Sequence, residues 1–135
     1  MKVLIVEDDP VTRHVLQTMI AKWGYDVEVE SNGVDAWLRL RRGTDPVVAL
    51  VDWMMPGMTG PHLCELVSGR PDAERFYTIL FTSKKPSGND RLISELAGAD
   101  VHLVKSVDFQ ELRHHLDTGA QVLESRMKKV GNSWR

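Results

Sequence analysis

Cysteine is almost absent: Cys64 is the single one in 135 residues, which rules out an internal disulfide and a disulfide-stapled secreted scaffold. No apolar run approaches the ~20 residues that a membrane-spanning helix needs. The opening "MKVLIVEDD" turns acidic after a short apolar stretch, unlike a signal peptide. Charge of one sign is also scarce. The net charge is −2 and the isoelectric point about 6.2, which argues against a general nucleic-acid-binding face. The most basic stretches, "LRLRRG" and "MKK", are short and fit solvated helix surface. "EDDPVTR", after the first apolar run, lacks the glycine-rich phosphate loop of a nucleotide switch. His14, His62, His114 and His115 have no metal-ligand spacing with cysteine. What is left is one domain of ordinary composition, 42% hydrophobic and 27% charged, long enough to bury roughly two thirds of its unfolded surface. A cytoplasmic protein is expected.

Short apolar runs alternate with helical patterns. Val3–Val6, Val47–Val51, Ile79–Phe81 and Val101–Val104 have strand length and β-branched character, and "DVEVES" (26–31) alternates like a strand with one wetter face. Between them, Pro10–Trp23 carries Val11, Val15, Met19, Ile20 and Trp23 at helical spacing, with Asp9-Pro10 as its start and Gly24 as its stop. Helices are also predicted over Val34–Arg42, Pro61–Ser68, Asn89–Ala97 and from Val107 onward. Near-continuous apolar strands imply a parallel sheet covered on both faces, and right-handed crossovers make it doubly wound.

One stretch raises the functional question. "VVALVDWMMPGMTG" runs apolar residues into a single aspartate, Asp52, and then into a loop marked by proline and glycine. Other strands also end in hydrophilic residues that a core does not require. The first runs into Glu7, Asp8 and Asp9, the fourth into Thr82, Ser83 and Lys84, and the fifth into Lys105. In doubly wound sheets the ligand crevice lies beyond the carboxyl ends of the strands. A central first strand would gather Glu7, Asp8, Asp52, Thr82 and Lys105 around one hollow. Crowded carboxylates repel by about 4 kcal/mol per pair at about 4 Å and a surface-like dielectric of about 20. Mg²⁺ with a phosphate suits such an oxygen-rich set, and a lysine and a threonine hydroxyl suit phosphate oxygens. Asp52 would then be a carboxylate nucleophile.

Together, "VEDDP", "VDWMMPGMTG", "LFTSK" and "GADVHLVKS" resemble the receiver domain of two-component response regulators, over residues 2 to about 118. The resemblance implies a flavodoxin-like α/β fold, a five-stranded parallel sheet in the order 2-1-3-4-5 with five helices. It implies a phosphoacceptor signalling switch of a phosphorelay, phosphorylated on Asp52 with Mg²⁺ as cofactor and shifting an inactive/active equilibrium. Asp8 and Asp52 would bind the metal directly, Glu7 through water, and the Met54 carbonyl would be a further ligand. Lys105 would pair with the phosphoryl group and Thr82 would be the hydroxyl switch. Such a regulator is not an enzyme acting on other substrates, although it catalyses its own phosphorylation and dephosphorylation. The implied partner is a histidine kinase or a histidine phosphotransfer protein docking beside the first helix. An output domain or target protein and a homodimer are compatible with the family; direct nucleic-acid or membrane contact is not expected.

Three departures from the family pattern stand out. His102 occupies the position, three before Lys105, where an aromatic residue is usual, so its charge would respond near neutral pH. Ser106 follows Lys105 where a proline in a cis peptide is usual; a trans bond and some displacement of Lys105 are therefore expected. The loop "TSKKPSGN" is one residue longer than usual. These keep open an alternative, a degenerate receiver acting as a phosphorylation-independent interaction module. A haloacid-dehalogenase-like phosphatase would need a second acid at position 54, which is methionine.

The remaining residues have ordinary readings. Asp9 is a helix cap, Lys84 and Lys85 are a solvated loop, and Met54, Met55 and Met58 are packing. The receiver unit is expected over residues 1–118. Residues 119–135 would be a helical extension or tail, where Gly119 and Arg126 interrupt a roughly heptad-like pattern. The bland reading has that helix packed to about Leu116 and frayed beyond. The sharper one makes "ELRHHLDTGAQVLESR" a stalk, similar to the exit helix of receivers fused to an output module such as a diguanylate cyclase.

Overall fold

The computed structural model describes residues 1–83 and 88–130. Strands and helices alternate along the chain: β1 (Lys2–Val6), α1 (Pro10–Lys22), β2 (Asp26–Glu30), α2 (Gly33–Arg42), β3 (Val47–Asp52), α3 (Gly60–Ser68), β4 (Phe76–Thr82), α4 (Gly88–Leu96), β5 (Val101–Val104) and α5 (Phe109–Val130). A 3-10 turn, Ala73–Arg75, precedes β4. All strand pairs are parallel, in the order β2-β1-β3-β4-β5. That is the doubly wound, flavodoxin-like sheet the alternating pattern predicts.

Side chains of the central strands point alternately to two apolar layers. Leu4, Val6, Ala49, Val51 and Leu80 meet α2 and α3 through Ala36, Leu40, Leu63, Cys64 and Val67. Val3, Ile5, Val48, Leu50, Ile79 and Phe81 meet α1 and α5 through Leu16, Ile20, Leu112, Leu116 and Leu123. Every residue of β3 and β4 is buried, which explains why these strands read as apolar runs rather than as alternation.

β4 begins three residues earlier than its apolar pattern suggests. The added residues, Phe76, Tyr77 and Thr78, are buried like the rest of the strand, and immediately before them stands Arg75, an arginine only 1% exposed. Its Nε donates to Asp72 Oδ2 at 2.7 Å, Nη1 to the Asp45 carbonyl at 2.9 Å and Nη2 to the Leu40 carbonyl at 2.8 Å. A buried charge survives only when paired and hydrogen-bonded in this way.

α5 likewise outruns the expectation that it frays after Leu116. Gly119 does not break it but lies where a Cβ would come within 2.6 Å of the Tyr77 ring, so glycine lets the helix approach the sheet. Leu123 is fully buried, and Arg126 Nη1 donates to the carbonyls of Glu74 (3.1 Å) and Phe76 (3.3 Å). Tyr25 donates to Asp117, tying the start of β2 to the same helix. No described helix is long and apolar enough to cross a membrane.

Candidate functional site

The carboxyl ends of β1, β3, β4 and β5 supply the polar residues. β1 delivers Glu7, 2% exposed, and then Asp8, which is open to solvent. Asp9 turns away as the N-cap of α1, accepting from the Thr12 N–H at 2.9 Å; its role is structural, as a residue before an N1 proline should be. β3 delivers Asp52, itself buried. The loop after it folds back tightly. The Gly60 N–H donates to the Trp53 carbonyl at 2.9 Å, and a Cβ on Gly60 would lie 2.4 Å from the Asp52 carbonyl oxygen. Gly57 takes a positive φ of 80°, which glycine adopts without strain. Glycine at these two points lets α3 start directly beneath Asp52.

Carboxylate oxygens of Glu7, Asp8 and Asp52 lie within 4.8 Å of one another. Against them stands Lys105, whose Nζ is 2.6 Å from Glu7 Oε1 and 3.2 Å from Asp52 Oδ1. No described peptide bond is cis, as expected before Ser106; the Lys105 N–H donates to the Thr82 carbonyl at 2.6 Å, and its ammonium lies within reach of Asp52. Burial pushes the Asp52 carboxyl up to about 7, helped by hydrogen bonding with and the charge of Glu7 and opposed by Lys105. Lys105 is raised from its ordinary value: burial opposes its charge, but Glu7 and Asp52 outweigh that. Three carboxylates facing one ammonium leave negative charge over. The donor set is all hard oxygen, which fits a small divalent cation.

Thr82 closes β4 and is buried, with its Cα in register with Val104 of β5. Ser106 is exposed beyond the site. Met55 and Met58 pack in the core, but Met54 does not: its side chain is 70% exposed, so bulk packing is not its role. His14, His62 and His114 are exposed. Lys84, Lys85 and the inserted part of their loop lie outside the described residues.

Two features at the site have no motif in the sequence. The His102 ring stacks on Trp53, the residue next to Asp52, with centroids 5.0 Å apart and planes at 29°. His102 stands out in the sequence by its place three residues before Lys105, but its pairing with Trp53 does not. Beside Lys105, a groove of about 280 Å³ opens between α1 and α5, lined by Val11, Val15, Phe81, Val107 and Phe109. Val11 is 71% and Phe109 54% exposed, in an apolar patch at the rim of a charged site.

The pattern of the response regulator receiver domain matches residues 3–117. Chemotaxis protein CheY1 of Helicobacter pylori is 30% identical over 119 residues, 87% of this chain and 94% of CheY1. The phosphate regulon transcriptional regulatory protein PhoB of Rhizobium meliloti is 31% identical over 111 residues, 82% of this chain. The chain thus spans about half of PhoB's length, 48%. Among solved structures, the receiver domain of a signal transduction histidine kinase from Syntrophus aciditrophicus superposes with a TM-score of 0.78 at 30% identity, over 92% of this chain and 90% of its own. The receiver domain of the sensor histidine kinase PA1611 from Pseudomonas aeruginosa, with a magnesium ion coordinated in its active-site cleft, gives 0.77 at 26%, over 87% and 94%.

Proposed function

The chain belongs to the response regulator receiver domain family, and from that premise we propose that it is a signalling switch that takes a phosphoryl group on Asp52. The observation that carries this reading is the convergence of Lys105 Nζ, 3.2 Å from Asp52 Oδ1, with the carboxylates of Glu7 and Asp8. An oxygen of ionised Asp52 attacks the phosphorus of a phosphohistidine or a small phosphodonor. A P–O bond to Asp52 forms as the bond to the leaving group breaks. Lys105 moves with the developing charge, from Glu7 and Asp52 toward the phosphoryl oxygens, and the Thr82 hydroxyl donates to another. Asp8 and Asp52, with the Met54 carbonyl, are the groups that would hold Mg²⁺, and Glu7 would act through water. Bound there, Mg²⁺ neutralises charge on the carboxylates and on the transferring group. Hydrolysis of the acyl phosphate by water resets the switch, so the chain supplies both catalytic steps on itself.

The groove between α1 and α5 supports a helical partner beside the first helix. Its apolar wall is Val11, Val15 and Phe109, next to Lys105, and an amphipathic helix of a histidine kinase or phosphotransfer protein could lay its apolar stripe there. We place the receiver unit at residues 1–118, with the following segment leading toward an output domain or target. The rival reading, a module that binds partners without phosphorylation, draws no support from a site in which acids and lysine meet. Reductive trapping of the acyl phosphate after incubation with a phosphodonor and Mg²⁺, followed by peptide mapping, tests the reading. The label belongs on Asp52; a label on another residue, or none, contradicts it.

A further inference from the structure

Among the described residues, the buried side-chain nitrogens and oxygens without a hydrogen-bond partner are the Nδ1 and Nε2 of one residue, His102. Buried polar atoms are almost always satisfied, so an imidazole with both nitrogens dry requires an explanation. The ring is held instead by stacking on the Trp53 indole. Trp53 is itself fixed: its N–H donates to the Phe81 carbonyl at 3.1 Å and its carbonyl accepts from Gly60 at 2.9 Å. The backbone that carries the indole is therefore anchored one residue from Asp52, and His102, in register with Leu80 of β4, rests against the ring.

Stacking tolerates a neutral imidazole. An imidazolium has two N–H donors and a full charge, and the dry position offers neither acceptors nor water. The charged groups bearing on His102 come from α4: Asp90 and Arg91. Trp53 on the loop after β3 and Leu80 on β4 are uncharged, and the charges flanking β5 are Asp100, which accepts from the Thr78 N–H, and Lys105, engaged by Glu7 and Asp52. Burial lowers the His102 pKa; Asp90 acts to raise it and Arg91 to lower it.

We propose that Trp53 and His102 form a proton-sensitive latch: neutral His102 stays on the indole, and protonated His102 leaves it toward Asp90 at the start of α4. The latch links the loop after Asp52 to α4, whose Leu92, Ile93 and Leu96 are exposed, and makes the setting of that helix depend on pH. The ring geometry carries this, and Asp52 need not take a phosphoryl group for it to hold. Only its use in signalling rests on the function proposed above.

The test is nuclear magnetic resonance of the full chain from pH 5 to 8, following the Trp53 indole N–H and the amides of Asp90 and Arg91. In the parent, all three signals shift together, with a midpoint below the ordinary histidine value of about 6.5. His102→Phe keeps an aromatic ring on the indole and abolishes the shared shift. Asp90→Asn moves the midpoint to lower pH and Arg91→Gln to higher pH, which a merely structural role would not do. A parent Trp53 signal that does not titrate, a titration that survives in His102→Phe, or a midpoint indifferent to both α4 variants would overturn the latch. Repeating the titration in Asp52→Asn separates the two readings. The latch titrates there whether or not the parent accepts a phosphoryl group.

Discussion

The two sides of the crevice are built by different physics. In one, Glu7 and Asp52 at the ends of β1 and β3 and Lys105 after β5 satisfy one another through charge, with contacts of 2.6 and 3.2 Å. In the other, Trp53 after β3 and His102 of β5 stack their rings, and the imidazole nitrogens have no partner among the described residues. Ion pairs in a half-dry site hold a fixed geometry and pre-organise charge for a reaction. An unsatisfied ring on an aromatic plate is held weakly and changes place at small cost. The first side suits chemistry; the second suits reporting it.

The sharpest way to break this comparison is to remove the charge that organises the chemical side. Lys105→Ala leaves Glu7 and Asp52 facing each other without the ammonium, and the rate of phosphoryl gain from a small phosphodonor should fall by about 10²-fold or more. Single-turnover kinetics measure it; a rate within about threefold of the parent would show that Lys105 does not act on the transfer.

Gly60→Ala comes next. Its Cβ cannot stay 2.4 Å from the Asp52 carbonyl oxygen, so the backbone of Asp52 must shift. A loss of about 1–3 kcal/mol of stability in urea unfolding is expected, with slower phosphoryl gain. The same substitution at Gly88, where a Cβ would meet nothing within 4 Å, should do neither.

A smaller effect follows from the Asp52 carboxyl, raised in the folded state to about 7 against roughly 3.9 unfolded. The folded protein holds that proton more tightly, so this group's contribution is fully present below about pH 4 and is lost as pH rises toward 7. In the absence of Mg²⁺, Asp52→Asn should therefore raise Tm at pH 8 and leave it almost unchanged at pH 4. The smallest effect is that of the cation on the parent. At pH 8, Mg²⁺ should raise its Tm by linkage and should not raise that of Asp52→Asn to the same extent. Equal gains for both would mean the ion binds elsewhere.

The chemical side is legible in the sequence; of the reporting side His102 stands out by its position, but its stacking partner does not, for physical reasons. Acids, threonine and lysine at strand ends stand out because a core has no use for them; the apolar runs point to a doubly wound parallel sheet, and its strand order comes from the family resemblance. Ring stacking between Trp53 and His102 joins residues far apart in sequence through the pairing of β3, β4 and β5, and no local pattern encodes it. The burial of Arg75 is invisible in the sequence because it depends on distant partners, the carbonyls of Leu40 and Asp45. Gly119 interrupts the heptad-like pattern for a similar reason. Its neighbour is the Tyr77 ring, and close helix–sheet approach asks for glycine as a turn does. Ser106 says nothing in the sequence of the distance from Lys105 to Asp52, which depends on how β3 and β5 lie in the sheet and is 3.2 Å here.

The central claim is that Asp52, served by Lys105 and a divalent cation, accepts a phosphoryl group. Intact-mass spectrometry after incubation with a small phosphodonor, with and without Mg²⁺, on the parent and on Asp52→Ala, tests it most directly. The account predicts a gain of one phosphoryl group in the parent that requires Mg²⁺ and is absent from Asp52→Ala. No gain in the parent with Mg²⁺ and a competent donor, or an equal gain in Asp52→Ala, would contradict it.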